Sequence, residues 1–185
     1  MQAKSMVRER GPVTQLVGEF HKSVRKIADS GVFTKTMMDN LLLETPIHAI
    51  DTVFALADSK VAEVHAIVRR ATSDYKDVHA ALILFENGCV GSIIANYTTD
   101  ARLERYEIHG EEISIYLEGV NRGIAYFDGS NIELEGDSKA STVDQDRFFL
   151  DCVRSDCPIE RPAANLDTAV ETMDLALKIL EELRE

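Results

Sequence analysis

The chain has 185 residues, a length typical of a single domain. Hydrophobic residues make up 45% and charged residues 28% of it, which is typical of a folded globular protein and excludes a disordered or fibrous chain. The net charge of −12 disfavours nucleic-acid binding. Because neither a transmembrane stretch nor a signal peptide is visible, we expect a cytoplasmic protein that does not bind membranes.

The three cysteines predict reduced thiols and no metal site. Cys89, Cys152 and Cys157 are odd in number, and no two of them have the spacing of a zinc knuckle or a redox pair. Cys152 and Cys157 are five positions apart. A local disulfide between them is the less favoured alternative, because structural disulfides are rare in cytosolic proteins.

The first third of the chain predicts one strand and one helix. Residues 12–22 alternate as a strand does, and residues 24–40 are expected to be an irregular crossing. A helix follows and ends near Asp58, with Thr45 as its N-cap and Pro46 as its first residue. Its apolar residues at helical spacing are Leu43, Ile47, Ile50 and Phe54.

The middle of the chain predicts a series of strands with glycine at most corners. The strand segments are 61–72, 77–87, 91–99, 105–110, 113–119, 123–129 and 131–136. Asn87–Gly88 is a strong hairpin signal between two apolar runs. Residues 80–85 are apolar on both faces, so we expect helices on one face and a partner subunit on the other.

The last part of the chain predicts two helices. The first covers 143–153, and residues 160–163 form a linker to the second, which starts after a cap at Asn165. The expected buried stripe of this helix is Leu166, Val170, Met173, Leu177 and Leu180. The predicted fold class is therefore α+β, a large, open, mostly antiparallel sheet with helices on one face, and residues 1–185 form one domain.

The best candidates for chemistry are Glu44, His48 and Asp51, at helical spacings of four and three residues. A histidine near a carboxylate can take up a proton near neutral pH. The alternative is a helix start with acidic residues favoured by the helix dipole and a half-buried histidine; spacing alone favours it. His21 and Lys22 end the first strand, where they face a cleft or lie solvated.

Several well-known motifs are absent from the sequence. Neither the GxGxxG dinucleotide fingerprint nor the P-loop motif occurs. The sequence also lacks the GxSxG and HExxH motifs. The chain by itself therefore provides no recognisable cradle for a dinucleotide or a nucleoside triphosphate.

The order of its segments resembles the C-terminal domain of the Gfo/Idh/MocA family of NAD(P)-dependent oxidoreductases. The resemblance covers nearly the whole chain, and its most specific segments are ETPIHAID and ERYEIHGE. GPVTQLVGEFHK, NGCVGSI and NLDTAVETMDLALKI agree in order as well. The resemblance implies an open sheet that forms the substrate side of an active site and packs against another subunit in a homo-oligomer.

The resemblance also implies roles for individual residues. His48 matches the catalytic histidine, which accepts a hydroxyl proton, and Glu44 stands where an aspartate is common and would orient it. Asp51 matches a frequent family aspartate in a structural or substrate-side position. His21 and Lys22 fall where the family often places substrate contacts.

The family's N-terminal Rossmann domain has no counterpart in this sequence. We therefore expect the chain alone to bind no nicotinamide cofactor. The resemblance implies NAD(P) for the full enzyme, so the chain would need a Rossmann domain in cis or in trans. The hypothesis is the substrate-binding and oligomerisation part of an oxidoreductase acting on a sugar, cyclitol or related polyol. The alternative is a non-enzymatic scaffold or small-ligand-binding module.

Overall fold

One sheet of eight strands in the order β2-β3-β4-β1-β5-β6-β7-β8 organises the computed structural model, which describes residues 2–119, 121–160 and 163–184. Neighbouring strands are antiparallel, except for the central pair β1 and β4, which is parallel. The strands are β1 Gln15–Ser23, β2 Val61–Arg69, β3 Val78–Phe85, β4 Val90–Asn96, β5 Thr98–Gly110, β6 Ile113–Glu118, β7 Arg122–Phe127 and β8 Ser130–Glu135.

Helices cover one face of this sheet, as the sequence predicts. The described helices are α1 Gln2–Arg8, α2 Val24–Asp29, α3 Lys35–Met38, α4 Ile47–Ala57, α5 Ser138–Ser155 and α6 Leu166–Glu181, with a 3-10 helix at Leu41–Leu43. Helix α1 packs on β5 and β6, α4 on β1, β4 and β5, and α6 on β2, β3 and α4. The α+β architecture with an open sheet is confirmed.

Helix α4 lies directly on the two parallel strands. A Cβ atom at Gly18 in β1 would lie only 3.0 Å from Cγ2 of Val53, and one at Gly91 in β4 would lie 3.3 Å from its Cγ1. Two glycines thus let the helix backbone approach the sheet at the position where Val53 packs. The helix begins after Pro46, whose φ of −63° is already helical, and ends at Asp58, which adopts a left-handed conformation with φ of 51°.

The segment 24–40, predicted to be irregular, contains two short helices. Ser23 caps α2 by accepting a hydrogen bond from the backbone N–H of Lys26, and Thr34 caps α3 through Met37. Both are side-chain caps of the kind that favours a helix start, but helices of six and four residues are too short for a hydrophobic period to be recognised. The expectation for this segment was therefore wrong.

The apolar stripe predicted for α6 is largely exposed, which contradicts the sequence-based expectation. Leu166 is 80% exposed and Val170 51% exposed, whereas Leu180 is buried. The helix buries a neighbouring face instead, because Thr172 and its neighbours pack against α4 and β2. That buried face consists of Thr172, Leu175, Ala176, Ile179 and Leu180. The start of α6 is as predicted: Asn165 and Thr168 form a reciprocal capping box.

Other boundaries differ in length. Helix α5 begins at Ser138 and ends at Ser155, so it is longer than the predicted 143–153, and β5 begins at Thr98 rather than at 105. Of the predicted linker 160–163, positions 161 and 162 lie outside the described residues. The exposed apolar side chains of α5 are Val143, Phe148, Phe149, Leu150 and Val153.

Strand β3 has a buried face and an open face. Ala81, Ile83 and Phe85 are buried beneath the helices, whereas Leu82 is 60% and Leu84 40% exposed on the other side. Helix cover on one face of this strand is thus confirmed. In this single chain the opposite face is open, and its coverage by a partner subunit stays a prediction.

We expect Val53→Ala to reduce the free energy of unfolding by about 2 kcal/mol, since it removes two methyl groups from the contact of α4 with Gly18 and Gly91. Urea denaturation followed by circular dichroism measures the change. Val32→Ala is the matched control, because Val32 is 73% exposed, and should change the free energy by less than about 0.5 kcal/mol. Equal losses in both variants would contradict this description of the core.

Candidate functional site

The candidate site lies where the two parallel strands end. Lys22 is close to the end of β1, and Tyr97 directly follows the last residue of β4. Because β1 and β4 run in the same direction, their carboxyl ends meet at one edge of the sheet. Open sheets with parallel strands commonly bind ligands at that edge. Glu44, which precedes α4, reaches the same place from the helix layer.

Glu44 is the centre of a hydrogen-bond network. The Lys22 Nζ lies 3.0 Å from its Oε1 and 3.2 Å from its Oε2, and it also lies 3.2 Å from the Oγ1 of Thr45. The Thr45 hydroxyl donates to Glu44 Oε2. The hydroxyl of Tyr97 is 2.9 Å from the carbonyl oxygen of Leu41 and 3.3 Å from Glu44 Oε2, so its one proton is shared between two acceptors.

This network keeps Glu44 ionised. Partial burial alone would raise the pKa of its carboxyl group, but hydrogen bonds from Thr45 and Lys22, together with the Lys22 charge, outweigh that effect and lower it. Burial, and after it the charge of Glu44, raises the pKa of Tyr97. The site therefore contains a carboxylate, an ammonium group and a protonated phenol within one cluster of contacts.

A cleft of about 290 Å³ opens beside Glu44. Apolar side chains and two neutral polar side chains share its wall with the carboxylate. The lining residues are Phe33, Thr36, Met37, Asn40, Leu43 and Glu44. An apolar wall with a few polar groups suits a small molecule that has both CH surfaces and hydroxyl groups.

His48 lies in the first turn of α4 and is exposed to solvent. Glu44 does not belong to this helix, because Thr45 and Pro46 separate it from the first helical residue. Among the described residues, the hydrogen bonds of Glu44 go to Lys22, Thr45 and Tyr97, and none joins it to His48. The role of Glu44 in orienting His48 therefore stays a prediction.

Asp51 points to another helix. Its Oδ1 accepts a hydrogen bond of 3.2 Å from the hydroxyl of Thr172, a buried residue of α6. This bond joins α4 to α6 one turn beyond His48. The geometry gives Asp51 a structural contact.

The alternation of β1 separates His21 from Lys22. Lys22 lies on the helix side with Glu44, whereas His21 pairs with Asn96 and Leu103 and belongs to the open face of the sheet. Its buried Nδ1 has no hydrogen-bond partner among the described residues. The structure thus brings Lys22, Glu44 and the start of α4 together and does not add His21 to them.

Sequence reasoning missed Tyr97 and the cleft residues Phe33 and Asn40. Tyr97 was inside a predicted strand, and only the parallel pairing of β1 with β4 places it next to Lys22. Phe33 and Asn40 belong to the segment predicted to be irregular. A hydroxyl-bearing aromatic residue at a strand end is a signal, but it is too common to select Tyr97 without the topology.

The described parts of the chain contain no candidate metal cluster and no candidate membrane helix. No group of three or more His, Cys, Asp or Glu residues that could hold a metal ion occurs there. None of the helices described is both long and apolar enough to cross a membrane.

The chain belongs to the GFO/IDH/MocA C-terminal domain family. The model of the GFO/IDH/MocA C-terminal domain matches residues 1–116, which include β1, the Glu44 network and His48. The resemblance inferred from the sequence is thereby confirmed. No match to a curated protein was found.

Solved structures with the same fold include two dehydrogenases. UDP-N-acetylglucosamine 3-dehydrogenase GnnA from Acidithiobacillus ferrooxidans superposes with a TM-score of 0.75 at 17% identity, covering 97% of this chain and 57% of that one. Levoglucosan dehydrogenase in complex with NADH gives a TM-score of 0.80 at 15% identity, with 97% and 59% covered. GenD2 from gentamicin A biosynthesis, in complex with NAD, gives 0.69 at 18% identity, with 98% and 57% covered. The chain thus spans less than two thirds of the length of these structures.

We expect Glu44→Gln to weaken the acid dependence of stability. Because the pKa of Glu44 is lower in the folded chain than its ordinary value of 4.5, its stabilising contribution is present above that pH and is lost as the pH falls through the folded-state pKa. At neutral pH the variant should be less stable by about 1 kcal/mol.

Urea denaturation at neutral pH and at several pH values below 4.5 measures this difference. Glu86→Gln is the control, since the Glu86 side chain is exposed and makes no hydrogen bond among the described residues. If wild type and Glu44→Gln lose stability in parallel as the pH falls, the Lys22–Glu44 pair does not have the electrostatic role described.

Proposed function

We propose that this chain is the substrate-binding and oligomerisation part of an NAD(P)-dependent oxidoreductase that acts on a sugar, cyclitol or related polyol. The observation that carries the proposal is the Lys22–Glu44–Tyr97 cluster beside an open cleft, with His48 on the following helical turn. Family membership supports the reaction class. Two of the named structures are dehydrogenases, and levoglucosan dehydrogenase and GenD2 are complexes with NADH and NAD, respectively.

The cleft chemistry supports a polyhydroxylated substrate. The ionised carboxylate of Glu44 is an acceptor for a substrate hydroxyl, and Lys22 and Asn40 provide donors at the same edge. Phe33 and Met37 offer apolar surface to the CH groups of a ring. Such a combination positions a sugar-like molecule without a metal ligand.

His48 is the proposed acid–base group. An exposed imidazole at the start of α4 can accept the proton of the reacting hydroxyl when a substrate lies in the cleft. Glu44 and Lys22 then contribute binding and orientation. The family resemblance assigns His48 to this step, and His48 lies in the first turn of α4, two residues after Pro46.

The chain's own residues do not fit a nicotinamide dinucleotide. Its pyrophosphate requires a glycine-rich turn that leads into a helix N-terminus, and no two glycines of this sequence are separated by a single residue. The N-terminus of α6 is already capped by the side chain of Asn165. A Rossmann domain, in cis or in trans, is therefore proposed to hold the cofactor.

One observation favours a second candidate, a non-enzymatic module that binds a small ligand in the same cleft. The carboxylate of Glu44 is occupied by Lys22, Thr45 and Tyr97, with no bond to His48 among the described residues. A binding module needs such a preorganised polar cluster but does not need a histidine that exchanges protons. The two candidates differ in the effect of a substitution at His48.

With a nicotinamide-binding domain supplied by fusion or as a separate protein, we expect His48→Ala to reduce kcat for polyol-dependent NAD(P)⁺ reduction by about 10²–10⁴-fold, because a positioned proton acceptor is lost. His65→Ala is the control: His65 is exposed on β2, contacts Glu63 and should leave kcat unchanged. Full activity of His48→Ala would remove His48 from the mechanism. Binding of a polyol without any turnover would favour the ligand-binding module.

The open face of the sheet supports the proposed oligomer. Leu82, Leu84, Val90 and Ile94 are each between 37% and 60% exposed on adjacent positions of β3 and β4. Contiguous apolar surface of this kind is typical of protein–protein contacts. A second copy of the chain is the proposed occupant, in agreement with the sheet-to-sheet packing that the family resemblance implies.

Light scattering should give the wild type a mass of at least twice 20.6 kDa, and Leu82→Glu should shift it to the monomer, because a carboxylate would be placed in the apolar contact. Val32→Glu introduces the same charge at an exposed position outside the sheet and should keep the wild-type mass. A monomeric wild type would exclude this assembly.

A further inference from the structure

The C-terminal turn of α5 brings the backbones of Cys152 and Cys157 close together. The backbone N–H of Cys157 donates to the carbonyl oxygen of Cys152 at 3.0 Å, and Asp156 between them is left-handed, with φ of 48°. Together with the helix end at Ser155 and the following Pro158, this is a Schellman motif. In that motif the side chains of the residues at the two ends of the six-to-one hydrogen bond are frequently in contact.

Both side chains at these positions are thiols. Cys152 is 5% exposed, and its Sγ lies 3.9 Å from the carbonyl oxygen of Pro158. Cys157, five positions later, is exposed to solvent. A buried thiol and an accessible thiol therefore lie on the two sides of one tight turn, and the six-to-one bond holds their backbones close together, as a disulfide requires.

We propose that Cys152 and Cys157 are a reversible redox pair, which forms an intrachain disulfide by exchange with a low-molecular-weight disulfide. The Cys157 thiolate attacks one sulfur of that molecule, forms a mixed disulfide and releases the first small thiol. The Cys152 thiol then loses its proton to solvent and attacks the Cys157 Sγ, which releases the second small thiol. Two protein thiols are oxidised by two electrons, and the small disulfide is reduced to two thiols.

The surroundings of the three cysteines support this order of attack. Burial, and after it the neighbouring Cys157 thiol and Asp151, raises the pKa of Cys152, so Cys157 is the thiol that meets the oxidant first. Cys89 lies in the core, where burial raises the pKa of its thiol to about 11, and we expect it to stay reduced. The chain therefore contains an unreactive thiol as an internal reference.

The bond would join α5 to the connection that leads into α6. The side-chain amide of Asn165, the cap of α6, donates to the carbonyl oxygen of Ile159 at 3.0 Å. A disulfide at Cys157 therefore lies two residues before a segment that is already tied to the start of α6. Oxidation would restrict the motion of the connection between α5 and α6, and reduction would remove that restriction.

The test uses the folded chain and oxidised glutathione. After incubation, free thiols are alkylated and the protein is cut with trypsin, which cleaves after Arg154, between the two cysteines. We expect the peptide from Phe148 to Arg154 to be joined to the peptide that starts at Ser155, and dithiothreitol to separate them. The intact mass should fall by two hydrogen masses, with Cys89 alkylated only after unfolding.

Single serine variants establish the pairing. Cys157→Ser should give no joined peptides, and Cys152→Ser should accumulate glutathione on Cys157, because no second thiol resolves the mixed disulfide. Cys89→Ser should form the joined peptides to the same extent as the wild type. Glutathione that remains on Cys157 of the wild type, a Cys157–Cys157 dimer between chains, or no reaction of either cysteine would each overturn the proposal.

Discussion

The close contact of α4 with β1 and β4 is the constraint on which the rest of the structure depends. It exists because Gly18 and Gly91 lack the side chains that would keep Val53 away from the sheet. Helix α4 starts just beyond Glu44 and contains His48 and Asp51. Its distance from the sheet and its direction therefore determine where these three side chains lie. A wider spacing would separate Glu44 from Lys22, whose ammonium group depends on its own strand for position.

The charged side chains on the two sides of β1 form different ion pairs. On the helix side, Lys22 meets a carboxylate whose pKa is lowered by the contacts around it, and the pair ties strand to helix. On the other side, Glu19 pairs with Arg105 of β5 at 2.8 Å and contributes to an open surface. One strand therefore takes part in both proposed activities of the domain, ligand binding and assembly.

Local sequence patterns predicted most of the fold. The alternation of the strand segments and the Asn87–Gly88 turn are short-range signals, and the strands occur where those signals place them, except that β5 begins earlier, at Thr98. The pairing of β1 with β4 depends on contacts between distant segments, and no local pattern encodes it. Tyr97 was missed for that reason.

The helices illustrate a second limit. The stripe Leu166, Val170, Met173 and Leu177 has correct helical spacing, but α6 turns a neighbouring face to the core. Periodicity shows that a helix has an apolar side, but it does not show which surface packs against that side. For the site, spacing identified Glu44 and His48 as candidates, while Lys22 as the partner of Glu44 followed only from the fold.

The central parallel pair also has a consequence for how the chain reaches this fold. Gln15 of β1 is paired with Val90 of β4, about 75 positions later, so the middle of the sheet cannot close until half of the chain is available. The β2–β3 hairpin and the β5 to β8 meander depend on near neighbours and can form early. During synthesis on a ribosome, β1 therefore waits with both edges unpaired until β4 and β5 have emerged.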